Sequence, residues 1–257
     1  MQAVADKNAL SERFGKAAST YDQFASLQKE VGFTLLEMLP EQTFHSGLDL
    51  GCGSGFFLPH LKQSCEQLTA FDLSIGMLQH AKQKALPIHY LCGDAENLPL
   101  RDHSCDLIFS SLAIQWCHDL RQTFHEIKRV LSSRGYTLFA TLTEGSLSEL
   151  KRAWTAIDSY QHVNQFSEMQ TLQQKLKESG WAHFHLEQKA HTIGYKTVSE
   201  VLHSLKGIGA SQVNGARKQG LLTRTQFLSL CEEYEQFRLP NGLLPVTYNV
   251  CYGVLHR

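Results

Sequence analysis

The sequence predicts an α/β fold in which helices cover both faces of a doubly wound, mostly parallel sheet. Three observations lead to this prediction. Five short, mostly apolar runs are spread through residues 47–142, stretches with helical periodicity separate them, and two alternating runs follow near the end of the chain. Strands that alternate with helices pair in parallel, because each crossover returns the chain to the same end of the sheet.

The first elements are predicted from periodicity and end signals. Residues 20–39 carry apolar side chains at helical spacing, and Thr20 with Gln23 three positions later is typical of a capping box, so one helix is predicted to start at Thr20. Buried strands are predicted from their apolar runs at 47–51, 68–72, 88–91, 106–111 and 136–142. Helices are predicted between the strands at 56–64, 74–85 and 119–131.

The alternation of strands and helices stops after Leu142. Helical stretches near 146–154, 167–179 and 197–206, with a glycine-punctuated segment at 206–220, are predicted to be insertions at the rim of the sheet. Residues 184–195 and 247–257 alternate well enough to be the last two strands. An antiparallel hairpin at the edge of the sheet is therefore expected.

Composition argues against several classes of protein. The 257 residues are 42% hydrophobic and 19% charged, and no apolar run approaches the roughly 20 residues of a membrane-spanning helix. Residues 1–19 lack the features of a secretory signal, so we expect a cytoplasmic protein. A net charge of −1 gives no indication of nucleic-acid binding. The seven cysteines form no CxxC pair and no HExxH motif occurs, so no metal site is expected.

A glycine-rich turn after the first predicted strand is the strongest functional motif. Residues 48–55 read LDLGCGSG, in which Gly51 and Gly53 allow a tight turn that a ligand can approach closely. Asp72 ends the second predicted strand, where its carboxylate can accept hydrogen bonds from two ribose hydroxyls. Together these features predict a nucleoside site.

The acids around this turn favour a cationic nucleoside. A dinucleotide-binding turn would read GxGxxG and hold a pyrophosphate, whereas this turn reads GxGxG and follows Asp49, an anion poorly suited to a phosphate. Asp94 and Ala95, after the third predicted strand, are candidates to meet an adenine, with a helix-capping role for Asp94 as the alternative. Asp106 is equally well explained as a structural residue, so it is not assigned to the site.

These motifs resemble those of the class I methyltransferase family. DxGxGxG, an acid at the end of strand two, and DAxxLP after strand three appear in order within about residues 40–142. The resemblance implies a seven-stranded sheet with the last strand antiparallel, S-adenosylmethionine as cofactor and S-adenosylhomocysteine as product. With neighbouring positions added, the predicted cofactor-binding residues are Asp49, Gly51, Gly53, Asp72, Leu73, Asp94, Ala95, Ser110 and Gln28.

Further segments resemble the malonyl-acyl carrier protein O-methyltransferases of biotin synthesis. They lie at 13–28, 110–120, 141–154, 162–166, 205–210 and 220–224, so the resemblance extends over nearly the whole chain. It implies methylation of the free carboxylate of a malonyl thioester, with malonyl-carrying acyl carrier protein as the partner. A carboxylate is already ionised at neutral pH, so neither a catalytic base nor a triad is expected.

Residues 1–40 are predicted to form a helical lid. Tyr21, Phe24, Ala25 and Gln28 fall on one helical face, which would turn Tyr21 and Gln28 inward, with core packing as the alternative. Residues 41–142 are then the cofactor-binding core, and residues 143–257 supply substrate-side insertions and the last strands. All three parts are predicted to belong to one domain, 1–257.

Positioning of the acceptor is assigned to Tyr21, Gln115 and Arg152. Gln115, beside Trp116, follows the fourth predicted strand, at the end of the sheet where ligands bind in such folds, although Trp116 also suits a core position. Arg152 lies beside a buried helical stripe, with a solvated basic residue as the alternative. The sequence alone does not choose among the donors of the inserted segments: Lys151, Arg152, His162, Asn164, Lys206, Arg217 and Arg224.

Lys206, Arg217, Lys218 and Arg224 form a candidate basic rim for an acidic carrier protein. Three other functions stay open at this point. They are a methyltransferase acting on another small carboxylate or a quinone-type ring, a catalytically idle binding module of the same fold, and a nicotinamide oxidoreductase, which the GxGxG spacing disfavours.

Overall fold

The computed structural model describes residues 6–209 and 222–257. Its strands, in chain order, are β1 Phe44–Leu50, β2 Cys65–Asp72, β3 His89–Cys92, β4 Cys105–Ser111, β5 Leu131–Leu142, β6 Phe184–Tyr195 and β7 Leu244–His256. They form one sheet in the order β3-β2-β1-β4-β5-β7-β6. The first five strands pair in parallel, and β7 is antiparallel to both β5 and β6. The predicted seven-stranded, doubly wound α/β fold is confirmed.

Helices flank this sheet as the periodicity predicts. In the described residues they are α1 Lys7–Ala17, α2 Tyr21–Phe24, α3 Ser26–Leu36, α4 Leu58–Ser64, α5 Ile75–Lys82, α6 Leu120–Val130, α7 Ser148–Thr155, α8 Met169–Glu178, α9 Val198–Gly207 and α10 Arg224–Glu235. A single 3₁₀ turn, Ile114–Trp116, follows β4. No helix in the described ranges combines the length and the apolar character that crossing a membrane requires.

Both faces of the sheet are buried along its central strands, which explains their nearly continuous apolar runs, whereas the edge strands β3 and β6 have no fully buried residue. In β4, Leu107 and Phe109 pack on the side of α3 and α4, whereas Ile108 between them packs on the side of α6 and α8. Phe139 of β5 joins the second side and contacts the ring of Phe124 from α6. The alternation of strand side chains thus supplies two cores from one strand.

The predicted continuous helix over residues 20–39 is wrong. The chain forms α2 and α3 with a break at Ala25, whose φ and ψ of −88° and 38° are not helical. Lys29 Nζ donates to the carbonyl oxygen of Asp22 at 2.8 Å, a group that an uninterrupted helix would satisfy itself. Thr20 makes no capping bond to α2, so the predicted capping box is also absent here. The break turns Phe24 towards α9, where its ring lies against Gly207.

The strand order places a crevice at the carboxyl ends of β1 and β4. The chain runs outward from β1 through β2 to β3 in one direction, and from β4 through β5 in the other. Connections therefore diverge between β1 and β4, the switch point at which open α/β sheets bind ligands. The glycine-rich turn after β1 and the 3₁₀ turn after β4 both lie at this point.

Candidate active site

The glycine-rich turn bends back over the end of β2. Gly51 and Gly53 have φ angles of +80° and +53°, which residues with a side chain rarely adopt. The amides of Gly51 and Cys52 both donate to the carbonyl oxygen of Phe71, at 2.8 and 2.9 Å. A Cβ at Gly51 would lie 2.3 Å from the Cβ of Ala113. The turn is therefore fixed by its backbone and leaves space beside it for a ligand.

Asp72 is held at the end of β2 by two backbone amides. Its two carboxylate oxygens accept hydrogen bonds from Ser74 N at 2.7 Å and from Gly53 N at 2.9 Å. Burial raises the pKa of Asp72, while these amide donors act to lower it. The carboxylate lines the cavity beside the turn and retains acceptor capacity there, since each carboxylate oxygen has two lone pairs.

Asp49 lies in β1, two residues before the turn, and is 3% exposed. Burial, and after it the charge of Asp72, raise the pKa of Asp49 to about 8. No described residue donates a hydrogen bond to its carboxylate. A buried acid without a partner is costly unless it is neutral or faces a cation, so this position favours a positively charged ligand.

A first cavity of about 770 Å³ opens between this turn and α1. We call it the nucleoside cavity. Ser111 lines it, and the Ser111 hydroxyl is buried with no hydrogen-bond partner in the described structure. The side chains around it include those of Leu10, Phe14, Tyr21, Phe71, Asp72, Leu73, Met77, Asp94, Ala95, Leu112, Ile114 and Trp116. A predominantly apolar wall with a few convergent polar groups is typical of a small-molecule site.

Helix α1 covers the nucleoside cavity and attaches through one of its faces. Lys7 Nζ contacts Asp94 Oδ2 at 2.6 Å and Glu96 Oε1 at 2.8 Å. One turn later, Ser11 Oγ donates to the Leu73 carbonyl at 3.1 Å. After another turn, Gly15 packs directly on Gly76 of α5. These residues are four apart and therefore share a helical face, while Leu10 and Phe14 line the cavity.

Helix α1 was not predicted as a separate element. Asp6 caps it by accepting from the amides of Asn8 and Ala9, and Leu10, Phe14 and Ala17 follow at helical spacing. Those signals were present in the sequence, but the predicted start at Thr20 left them unused. Lys7, Phe14 and Ser111 are the main lining residues that were not predicted.

Asp94 lies at the cavity, but its carboxylate already has partners. In addition to Lys7, it accepts the amide of Glu96 at 3.0 Å. Burial opposes ionisation of Asp94, but the hydrogen bond from Lys7 and the amide of Glu96 outweigh it and lower the pKa. Asp94 is therefore ionised, and any ligand would share it with the lysine of α1.

Ser110 does not line the nucleoside cavity. Its side chain is fully buried and its hydroxyl donates to the Leu50 carbonyl at 2.8 Å, which fastens β4 to β1. Ser111, one position later, turns to the other face of the strand and reaches the cavity. At this strand end it is therefore Ser111, and not the predicted Ser110, that lines the cavity.

A second cavity, of about 730 Å³, lies against the first. We call it the acceptor cavity. Phe14, Tyr21, Leu112 and Trp116 line both cavities, and the rings of Phe14 and Trp116 meet edge to face at 5.5 Å. The polar lining side chains of the acceptor cavity are Tyr21, Gln28, Gln115, His162, Asn164 and Tyr248.

Three predicted residues meet at the acceptor cavity. Tyr21 lies between the two cavities, and burial, together with the charges of Asp72 and Asp22, raises its pKa, so its phenol is neutral. Gln115 lines the acceptor cavity with its side-chain amide tied to the Leu112 carbonyl at 2.7 Å. Gln28 also lines this cavity and does not line the nucleoside cavity, so its predicted contact with the cofactor is not supported.

Arg152 lies away from both cavities. It is exposed, and its guanidinium carbon lies 5.0 Å above the ring of Phe237. Its predicted role in holding the acceptor has no geometric support. Lys206 and Arg224 of the predicted basic rim are also exposed, whereas Arg217 and Lys218 lie outside the described residues.

Known proteins resemble this chain at two levels. Residues 48–139 match the family described as a methyltransferase domain. Malonyl-[acyl-carrier protein] O-methyltransferases of Yersinia pestis and Salmonella typhimurium are each 38% identical to the chain, over 98% and 99% of its length and 92% and 99% of theirs. The chain belongs to the malonyl-[acyl-carrier protein] O-methyltransferase family. It is therefore an enzyme of the O-methyltransferase class, as the sequence predicted.

Other relatives of this O-methyltransferase extend or support the assignment. The biotin biosynthesis bifunctional protein BioHC of Cellvibrio japonicus is 40% identical over 97% of the chain, which spans 50% of that longer protein. Among solved structures, YcgJ of Bacillus subtilis aligns with a TM-score of 0.61 at 17% identity, covering 89% of this chain and 99% of YcgJ. Haemonchus contortus phosphoethanolamine N-methyltransferase 2, solved with S-adenosylhomocysteine, aligns with a TM-score of 0.59 at 18% identity. The alignment covers 95% of this chain and 57% of that protein. These structures support the fold alone.

Proposed function

We propose that the protein transfers a methyl group from S-adenosylmethionine to the free carboxylate of a malonyl group carried by acyl carrier protein. The observation that carries the proposal is the adjacency of the two cavities. One contains acids suited to a cationic nucleoside, and the other contains a few polar side chains in an otherwise apolar cavity. The names of the O-methyltransferase relatives support the choice of malonyl-acyl carrier protein.

Residues of the nucleoside cavity fit the proposed cofactor. Asp72 can accept both ribose hydroxyls, and Asp94 with the Ala95 backbone can meet the adenine amino group. Ser111 offers a hydroxyl that lacks a partner. Asp49 does not line the cavity but is buried next to Leu50 and Gly51, which do, and from there its carboxylate would favour an ammonium group through its charge. Gly51, Gly53 and Leu73 would contact the ligand through the backbone and the cavity wall. Residues 1–40 act as the lid and 41–142 as the cofactor-binding core in this proposal.

The chemistry requires placement more than proton transfer. When bound, S-adenosylmethionine supplies a methyl carbon to which a carboxylate oxygen forms its C–O bond while the S–C bond breaks and leaves its electron pair on sulfur. The protein must hold that oxygen in line across the boundary formed by Tyr21, Phe14 and Trp116. An apolar chamber excludes water and favours the neutralisation of opposite charges. No residue has to act as a base.

The carrier protein would approach the rim formed by residues 143–257. Lys206 and Arg224 are exposed there and can attract an acidic partner. Leu205 and Ile208, at the end of α9 that carries Lys206, line the acceptor cavity. The proposal also places the protein in the cytoplasm, as expected from the sequence, because the enzyme must have access to carrier-bound malonyl groups.

The proposal is tested by comparing malonyl-acyl carrier protein, malonyl-coenzyme A and free malonate as acceptors, with mass detection of the methyl ester. We expect the carrier-bound substrate to give the highest kcat/KM and a product heavier by one CH₂. A quinol or unrelated carboxylate methylated faster than all three would contradict the malonyl assignment. Loss of transfer with denatured enzyme, and retention with the His45→Ala variant on the exposed end of β1, are the controls.

A further inference from the structure

The acceptor cavity has an unexpected balance of charge for an enzyme that binds a carboxylate. Among its described lining residues there is no lysine or arginine, and His162 is the side chain able to carry a positive charge. The candidate cations Lys151, Arg152, Lys206 and Arg224 are all exposed. Any cationic contact with the acceptor from the described lining residues must therefore come from His162.

The ring of His162 is held by a contact at Nε2 and by stacking on one of its faces. Its Nε2 lies 2.7 Å from Asp158 Oδ1, and its ring stacks on the indole of Trp154 with a centroid distance of 3.7 Å and an interplanar angle of 9°. Asp158 is held in turn by the amide of Tyr160 at 3.0 Å and by Gln226 Nε2 at 3.4 Å. Both side chains of the pair are mostly buried, with 19% and 16% exposed. The ring therefore has a defined orientation.

The remaining polar atom of the ring is Nδ1. Nε2 lies against Asp158, so Nδ1 is the ring nitrogen left to meet the acceptor, and a ring with protons on both nitrogens would be a cation beside the Asp158 carboxylate. Such a ring offers a single charged donor. An arginine would instead bind both oxygens of a carboxylate in a bidentate pair, and so lower the nucleophilicity of the oxygen that must react.

We propose that His162, oriented by Asp158 and Trp154, binds one oxygen of the acceptor's free carboxylate through Nδ1 and leaves the other oxygen facing the nucleoside cavity. This inference rests on the proposed function and adds the residue that recognises the acceptor. It also explains release of the product: the methyl ester is neutral, so the contact with His162 weakens once the carboxylate is esterified. Asp158 and Trp154 are positioning residues.

The test measures how well each variant distinguishes an anionic ligand of the acceptor cavity from a neutral one. For each variant, the KM of malonyl-acyl carrier protein is compared with the inhibition constant of its methyl ester product. Replacing His162 by alanine should raise the KM about tenfold, the usual loss for a hydrogen bond to a charged group, with less than about twofold change for the ester. His162→Gln keeps a neutral donor and should recover part of the loss.

Matched controls separate recognition from damage. His45 forms a comparable pair with Glu66 at 2.7 Å on the exposed end of β1, so His45→Ala should leave both constants unchanged. If His162→Ala weakens the binding of the malonyl substrate and of its methyl ester equally, or changes the binding of neither, the inference is overturned. A residue that only forms part of the cavity wall would affect both ligands alike. A wild-type enzyme that methylates no malonyl thioester would instead refute the proposed function.

Discussion

Replacing Asp49 with asparagine tests whether a buried acid selects the cation of the ligand. Asp49 is 3% exposed, and burial followed by the charge of Asp72 raises its pKa to about 8. A ligand ammonium group favours the ionised acid, so binding below that pKa must release a proton. With a pKa of about 8, the ionised fraction of Asp49 falls from about one half at pH 8 to about one hundredth at pH 6, so wild-type affinity should fall about fiftyfold over that interval.

Isothermal titration calorimetry of S-adenosylhomocysteine at several pH values measures this dependence. Repeating the titrations in buffers of different ionisation enthalpy counts the protons released, which should approach one near pH 6 to 7 for the wild type. Asp49→Asn should bind more weakly at pH 8, with a flat dependence and no proton release attributable to this site. Asp102→Asn, at an exposed acid, is the matched control. A flat wild-type curve, or an unchanged slope in Asp49→Asn, would refute the reasoning.

The same pKa shift predicts an opposite effect on the ligand-free protein. The folded pKa of about 8 lies above the ordinary value of 3.8, so the folded state holds this proton more tightly than the unfolded chain. Its contribution to the free energy of unfolding is therefore full at low pH and is lost as pH rises towards 8. Without ligand, Asp49→Asn should melt at a higher temperature than the wild type at pH 8, and the difference should shrink as the pH falls.

Two further substitutions test Asp72, which lines the nucleoside cavity, and helix α1, which covers it. Asp72→Ala removes two charge-assisted hydrogen bonds of about 1.5 kcal/mol each and should raise the calorimetric Kd for the nucleoside about a hundredfold, with Asp102→Ala unchanged; an equal Kd would remove Asp72 from the site. At Gly76 a Cβ would lie 2.7 Å from Gly15 Cα, so Gly76→Ala should loosen α1, weaken nucleoside binding about tenfold and speed proteolysis within α1. Gln79→Ala, on the same helix as Gly76, should change neither the Kd for the nucleoside nor the rate of proteolysis within α1. If α1 is cleaved no faster in Gly76→Ala than in the wild type, the packing of Gly15 on Gly76 does not hold α1 in place.

The sheet and the glycine-rich turn were predictable because their signals are local. Strands with both faces buried are apolar throughout, so residues 68–72 and 106–111 stand out from the amphipathic helices beside them. Gly51, Gly53 and Asp72 follow from backbone and hydrogen-bonding requirements that act within one βα unit. All three residues line the nucleoside cavity in the structure.

Residues that depend on distant packing were not predictable in this way. The break at Ala25 accompanies the packing of Phe24 on Gly207, far along the chain, and helical periodicity carries no record of that contact. Arg152 was favoured over His162 because spacing does not reveal which part of an insertion folds over the sheet, and in the structure His162 lines the acceptor cavity whereas Arg152 does not. Ser110 and Ser111 differ by one position, and in a strand one position selects the opposite face.

The docking of α1 by residues spaced one turn apart has a consequence for the order of events in a catalytic cycle. Phe14 on the same helix lines both the nucleoside cavity and the acceptor cavity, so any displacement of α1 that opened the first cavity would also open the second. Loading should consequently be sequential, with the nucleoside entering first and the acyl group second. Inhibition by the demethylated nucleoside should then be competitive with its methylated parent and not with the acyl substrate.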